Sequence, residues 1–384
     1  MSVDPRKFKT KTIIAERDNP KRADIWPIGL DIGYSAVKGF SPNAIFCYPS
    51  FAKKQPEGVE TIGEPKDTDI EYKDMKTGEV WFVGEVAETF ATASDTDQAL
   101  YNRQRYFSDS FRVICEVGIA LGMLNNRYGS MGSKRPVIQT GLPPEYKKND
   151  EEDLKAVFVG THEFAIKVGK SEWVPFSFEL KENDVYVMDQ PMGGLISATI
   201  TDSGKASADS KRILSSNVII FDIGFGTADI YEMKNGRIIN KNTFDDLAMK
   251  RVFKETAEVI DDQYKKKLST IQMQEVLEKG TFSVFDRRKR TATVGEIAPV
   301  LEECSKKVCE ELLNTILDMC DINDYAYILL DGGTAAAWYS YITEFFAGMK
   351  ETLSIISASK DDTISPVFAN VRGYYMYLFG KKNV

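Results

Sequence analysis

The sequence predicts an α/β protein built from two related domains that face each other across a shared cleft. One local unit occurs twice in it: a continuous apolar run of strand length, an aspartate at its end, a tight glycine turn and a returning strand. In residues 28–40 (IGLDIGYSAVKGF) the aspartate is Asp31, and in residues 217–230 (NVIIFDIGFGTADI) it is Asp222. The two lie 191 positions apart in a chain of 384, close to half its length, so each half offers one carboxylate and one glycine turn. That length is also too great for one ordinary core and suits two.

Composition narrows the class. Apolar residues make up 43% of the chain, enough for two cores, and the net charge is −8. An acidic balance argues against broad direct contact with nucleic acid, leaving only the local run Arg287, Arg288, Lys289 and Arg290 as a basic patch. The five cysteines are scattered with no pair at CxxC spacing, which fits free thiols in a reducing cytoplasm. The single histidine, His162, sits in the alternating stretch HEFAIKV and reads as a strand residue, which excludes histidine triads and histidine-rich zinc sites. No apolar run reaches membrane-spanning length, and the polar, basic start lacks a secretory core. Residues 1–24 are therefore expected to form a flexible or loosely docked extension.

Residues 25–200 are expected to form the first domain. It opens on the hairpin around Asp31, with Lys38 on the returning strand, followed by a strand at residues 44–52. Residues 53–78 are polar and rich in turn formers, and are expected as an exposed excursion. Residues 108–124 place Phe111, Ile114, Cys115, Gly118 and Ile119 on one helical stripe with Ser108 or Asp109 as cap. RPVIQTGLPPEY reads as a buried strand stopped by Gly141 and a Pro143-Pro144 turn, EEDLKAVF as a short helix, and HEFAIKV with VPFSFEL as an antiparallel pair. In DVYVMDQPMGGLISATI the strand ends at Met188 and Asp189, Gln190 and Pro191 form a turn. Gly193 and Gly194 then open a helix.

A Ser/Asp/Lys-rich connection, residues 201–216, separates this part from a second domain over residues 217–365. After the second hairpin, DDLAMKRVFKETAEVI reads as a helix capped by Asp245 or Asp246, residues 265–280 as a charged helix, and residues 294–319 as a long core helix. YAYILLDGGTAAAW is a strand running through Asp331, Gly332, Gly333 and Thr334 into a helix. Residues 366–384 (with FANVRGYYMYL) are expected as a helix broken near Gly373 that returns to the first domain.

The repeated aspartate dictates a chemistry. Glycine turns offer backbone N–H groups to phosphate oxygens, but a carboxylate at the same mouth repels a bare phosphate and suits a hydrated Mg²⁺ that the phosphates also touch. Gln190, a neutral donor and acceptor at a strand-to-helix junction, suits the orientation of a water molecule. Paired glycines before a helix let a flat base or a sugar lie against the backbone.

In this order, the motifs DIGYSAVK, QTGLPPEY, MDQPMGG, FDIGFGTADI, LLDGGT and FANVRGYY resemble the bacterial actin-like ATPases of the ParM and Alp type, within the actin, Hsp70 and sugar-kinase superfamily. The resemblance spans residues 25–379 and implies an actin-like fold of two RNase H-like α/β domains with mixed sheets around a central nucleotide cleft. It assigns Asp31 and Asp222 to Mg²⁺, with Gly33, Tyr34, Ser35 and Lys38 in the first phosphate loop. Gly224, Phe225, Gly226 and Thr227 fall in the second loop, Gln190 on the hydrolytic water, and Gly332, Gly333 and Thr334 in the adenosine motif. Asp229 is left as a strand residue near the ribose, and the adenine contacts fall in the helix after Asp245. The implied function is hydrolysis of ATP or GTP coupled to head-to-tail filament growth, with a ParR-like DNA-binding adaptor linking the filament to plasmid DNA and no role for a membrane. The alternatives are a small-metabolite kinase, for which Asp189 is the available base, and an Hsp70-like ATPase.

Overall fold

The computed structural model describes residues 4–58, 63–92, 103–359 and 364–381. The first half contains β1 (Ile13–Glu16), β2 (Ile25–Ile32), β3 (Ala36–Phe40), β4 (Ala44–Pro49), β5 (Ala52–Lys54), β6 (Ile70–Asp74), β7 (Val80–Val83) and the short α1 (Glu85–Glu88). It continues through α2 (Asp109–Met123), β8 (Arg135–Leu142), α3 (Pro144–Phe158), β9 (Gly160–Val168), β10 (Val174–Leu180), β11 (Val185–Asp189) and α4 (Gln190–Thr199). Six strands form one mixed sheet in the order β1-β4-β3-β2-β8-β11, and five form a second, antiparallel sheet in the order β10-β9-β6-β7-β5.

Strand β2 is buried along its whole length, as its apolar run requires. Helix α2 begins with Ser108 as cap, its side chain accepting from the Phe111 N–H. It can lie close on the sheet because Gly118 and Gly122 face Leu30 and Ile28, where a Cβ would come within 2.9 and 3.1 Å of their side chains. His162 is a buried strand residue, its Nδ1 2.8 Å from Glu116 Oε1 and its Nε2 2.8 Å from the Phe158 carbonyl.

Three expectations for this half are corrected. Residues 13–16, expected within a flexible extension, form β1 and extend the main sheet by pairing antiparallel with β4, Ile13 opposite Cys47. The excursion at residues 53–78 contains β6, whose Ile70, Tyr72 and Asp74 point inward while Glu71 and Lys73 point out. Its alternation is that of a strand, hidden by a polar composition. The turn expected at Asp189 to Pro191 is also tighter than predicted, because the helix starts at Gln190 with Asp189 as its extended cap residue.

The second half contains α5 (Ser210–Leu214), β12 (Val218–Ile223), β13 (Ala228–Lys234), β14 (Arg237–Phe244), α6 (Met249–Tyr264), α7 (Thr270–Lys279), β15 (Thr281–Asp286), β16 (Thr291–Glu296) and α8 (Ala298–Met319). Then come β17 (Tyr327–Asp331), α9 (Gly333–Ala337), α10 (Tyr339–Phe345), β18 (Ser354–Ser357) and α11 (Ala369–Gly380). Its main sheet runs β14-β13-β12-β17-β18, with β12, β17 and β18 parallel. Helix α6 starts at Met249 with Ala248, not Asp245 or Asp246, as its cap, and the Lys250 N–H donates to the Phe225 carbonyl. Val294 belongs to the two-stranded ribbon β15–β16 rather than to the long helix, which begins at Ala298.

Between the halves lies a pair of helices. Helix α4 packs on β8 and β11 of the first half and on β12, β13 and β17 of the second, while α11 packs on α4 and on β2, β3 and β8. The break expected at Gly373 does not occur. Gly373 is instead the point of closest approach, where a Cβ would fall 1.9 Å from the Gly193 carbonyl oxygen of α4. Arg372 beside it is buried and donates to the Ser197 and Ile200 carbonyls and to Asp202, fastening the end of α4. Among the described residues no helix is long and apolar enough to cross a membrane.

Candidate functional site

Each wall of the cleft begins with strand register. On the first, β2 and β3 pair with Asp31 opposite Lys38. Asp31 is 3% exposed, and its two oxygens accept from Lys38 Nζ and from Gln190 Nε2, both at 3.1 Å. Burial works against charge on Lys38, but the neighbouring Asp31 outweighs it and holds the ammonium pKa above its ordinary value. The turn is closed by Gly33 N–H donating to the Ala36 carbonyl at 3.0 Å. Arg105 donates to the Ile32 and Gly33 carbonyls behind it and lies 4.4 Å over the Tyr34 ring.

On the second wall three adjacent strands bring three aspartates into line, Asp222 pairing with Asp229 on β13 and with Asp331 on β17. Asp222 accepts from Asn370 Nδ2 at 2.9 Å. Asp229 accepts from the hydroxyls of Thr227 and Thr243. Asp331 accepts from the Gly332 N–H at 2.7 Å through one oxygen, while its other oxygen is buried without a partner. Burial, with Asp31 adding to it, pushes the Asp222 pKa up to about 6 despite Asn370 and Lys38. Burial and then the charge of Asp222 push those of Asp229 and Asp331 well above the carboxylate range. The glycine turn is closed by Gly224 N–H donating to the Thr227 carbonyl at 2.9 Å, and the Thr334 hydroxyl donates to the Gly224 carbonyl at 2.6 Å.

The two loops meet across the cleft. A Cβ on Gly226 would lie 2.3 Å from the Tyr34 ring, and the cavity between the walls is about 60 Å³. It is lined by Asp31, Gly33, Tyr34, Ser35, Lys38, Gln190, Asp222, Gly224, Phe225, Gly226, Thr227 and Gly332, which the structure thus brings together. Thr334 reaches the same turn through its hydroxyl, whereas Gly333 lies outside the lining, beside Val367. Gly332 needs its freedom, with φ at 89° and a Cβ position 2.4 Å from the Ile223 carbonyl oxygen.

Asp331, Asn370, Arg105 and Tyr146 belong to this region and were not singled out in the sequence. Asp331 shares the strand-end aspartate and glycine pattern of Asp31 and Asp222, a signal that would have found it. Asn370 reaches Asp222 only through tertiary packing of α11, which no local pattern announces. Asp189 is engaged elsewhere, holding Tyr231 and Lys241 of the second half and lying 3.7 Å from Lys147. Burial opposes charge on Asp189, but these donors hold its pKa below the ordinary carboxylate value.

The donor set can be tested against a divalent cation. Among the described residues no three His, Cys, Asp or Glu side chains converge for direct ligation. The cleft instead offers carboxylates from opposite walls, Asp31 and Asp222, with the amide of Asn370 beside Asp222. Acceptors of this kind fit a Mg²⁺ that keeps most of its water shell.

Residues 29–193 match the sequence model of the family described as actin like proteins N terminal domain. No curated protein matches the sequence. Among solved structures, a non-polymerisable quadruple mutant of pCBH ParM aligns over 93% of this chain and 99% of its own, with 19% identity and a TM-score of 0.70. The subunit of a 15-stranded ParM filament from Clostridium botulinum aligns over 92% and 99%, with 18% identity and a TM-score of 0.69. An archaeal actin homologue in complex with ADP aligns over 93% and 100%, with 13% identity and a TM-score of 0.60. Sheet order, the paired aspartate hairpins and these alignments agree: the chain has the actin-like fold, and its residues 29–193 match the N-terminal domain of the actin-like proteins.

Proposed function

We propose that the cleft binds and hydrolyses ATP or GTP with Mg²⁺, and that this chain assembles through the nucleotide-bound form into a head-to-tail filament that moves plasmid DNA through a ParR-like adaptor. The observation that carries the reading is the matched pair of walls, with Asp31, Lys38 and Gln190 on one and Asp222 and Asn370 on the other, each beside a glycine turn. Bound Mg²⁺ would supply charge neutralisation at the phosphates, held through water by Asp31 and Asp222. Lys38 adds a fixed positive charge, and the N–H groups of the turns at Gly33 to Ser35 and Gly224 to Thr227 add donors. The Gln190 amide nitrogen is committed to Asp31, which leaves its carbonyl oxygen to accept a hydrogen bond from a water and orient it in line with the leaving group. Gly332, Gly333 and Thr334 form the adenosine end.

Assembly is supported by the similar structures, which include ParM and Alp12 filaments. Engagement of Asp189 by Tyr231 and Lys241 counts against its use as a kinase base. The test is light scattering with parallel phosphate release after adding Mg-ATP or Mg-GTP, comparing the wild type with Gln190→Ala. Scattering should rise only with nucleotide, with phosphate release lagging behind it and slowed in the variant by about a hundredfold. Flat scattering with both nucleotides at high protein concentration overturns the filament reading.

A further inference from the structure

We propose that residues 4–12 form a strap across the two halves that gates nucleotide entry and release, an inference resting on the nucleotide-cleft reading above. The strap starts from a fixed point on the first half, because β1 is hydrogen-bonded into the main sheet and the Thr12 N–H donates to Glu85 at the start of α1. From there the chain crosses to the second half. Thr10 N–H donates to the buried Gln274 side chain of α7 at 3.3 Å, and Lys9 lies 3.2 Å from Glu278 of the same helix and 3.7 Å from Glu85. Lys9 is thus shared between acidic residues of both halves. Beyond it, a 3-10 turn over Pro5–Phe8, capped by Asp4, packs on α7 and α9, and Phe8 lies against the second half's apolar core.

The seat of the strap explains why it would gate. Helix α9 begins at Gly333, and Gly332 before it touches Ile223 and Asp222 at the floor of the cleft. The strap therefore covers the back of the motif expected to hold the nucleoside, one short helix from the phosphate end. The space of about 60 Å³ between the two glycine turns cannot take a triphosphate, so the turns must move apart there for the phosphates to enter or leave. The α4 and α11 pair is buried between the halves and survives as a hinge. The strap's hold on the second half is small: Glu278, 46% exposed, receives Lys9, which is 12% exposed, and Lys11, which is 46% exposed, and Phe8 packs on the apolar core. A few ties to one half-exposed carboxylate and a single aromatic anchor are little to break, so releasing this segment is the step that lets the halves part.

The experiment is stopped-flow association and displacement of a fluorescent N-methylanthraniloyl ATP with the full chain. In the double variant Phe8→Ala with Lys9→Glu, both entry and exit should be faster by about tenfold, with the dissociation constant changed by less than about threefold. In Lys9→Cys with Glu278→Cys, joined by a disulfide-containing bis-thiosulfonate linker, both rates should fall by about tenfold and recover on adding reductant, while linker-treated wild type is unchanged. Wild-type rates in both variants, with nucleotide bound normally, overturn the gate and leave the nucleotide reading standing. Faster entry with unchanged exit also overturns it, since the segment would then be a competitor occupying the site. Failure of the wild type and both variants to bind nucleotide overturns the site itself and the gate with it.

Discussion

Asp222 concentrates the electrostatic problem of the cleft. Burial, the main cause, pushes its carboxyl up from the ordinary aspartate value of 3.8 to about 6. A carboxyl raised in this way contributes stability that is full below about pH 4 and is lost as pH rises through about 6. The nucleotide-free wild type should therefore lose about 1.4 kcal/mol of stability relative to Asp222→Asn between pH 5 and pH 7.5 in urea denaturation. Mg-ATP should stabilise the wild type at pH 7.5 and leave the variant unmoved. A constant difference across that pH range would show that the carboxyl is not held protonated by its surroundings. Gly194 states the same constraint sterically, because a Cβ there would lie 1.9 Å from Asp331 Oδ2. Gly194→Ala should cost about 2 kcal/mol of stability in the same assay.

Among the elements, α4 and α11 depend most on two residues without side chains. Gly193 and Gly373 let the helices cross at backbone contact, so Gly373→Ala should lower stability by about 2–3 kcal/mol, checked by thermal and urea unfolding. Unchanged unfolding would mean that the helices can move apart without loss. This crossing also shows what the sequence could and could not announce. The hairpins at Asp31 and Asp222 were legible because their strand, turn and strand patterns are local, and α2 because its stripe and Ser108 cap lie within a few turns. Glycine in α11 reads locally as a helix breaker, and only the partner helix reveals it as a contact. Strand β6 carries charge on its outward face, so composition masked it, and β16 (TATVGE) runs straight into the apolar stripe of α8, which hid the ribbon inside an expected helix. Within the site, Asn370 and Asp331 gain their roles from strand register and helix packing across long sequence separations.

For the whole molecule, the ribbon β15–β16 places two exposed apolar side chains together. Phe285 and Val294 are 62% and 65% exposed and share one face, since Val294 pairs with Ser283, two residues from Phe285, beside the basic turn at Arg287 to Arg290. Exposed apolar side chains beside charge favour contact with another surface. Phe285→Asp with Val294→Asp should raise the protein concentration needed for nucleotide-dependent scattering by about tenfold without changing the unfolding midpoint. Assembly at the wild-type concentration would remove the ribbon from the filament contact.

The three aspartates aligned across β13, β12 and β17 bear on the lifetime of the chain as well as on its chemistry. On the proposed function, burying Asp222 beside two further carboxyl groups makes the nucleotide-free form the less stable one near neutral pH, and proteases in a cell act on whichever form opens most often. Turnover of this chain would then follow the supply of nucleotide: abundant when the cleft is filled, and cleared soonest when energy runs short.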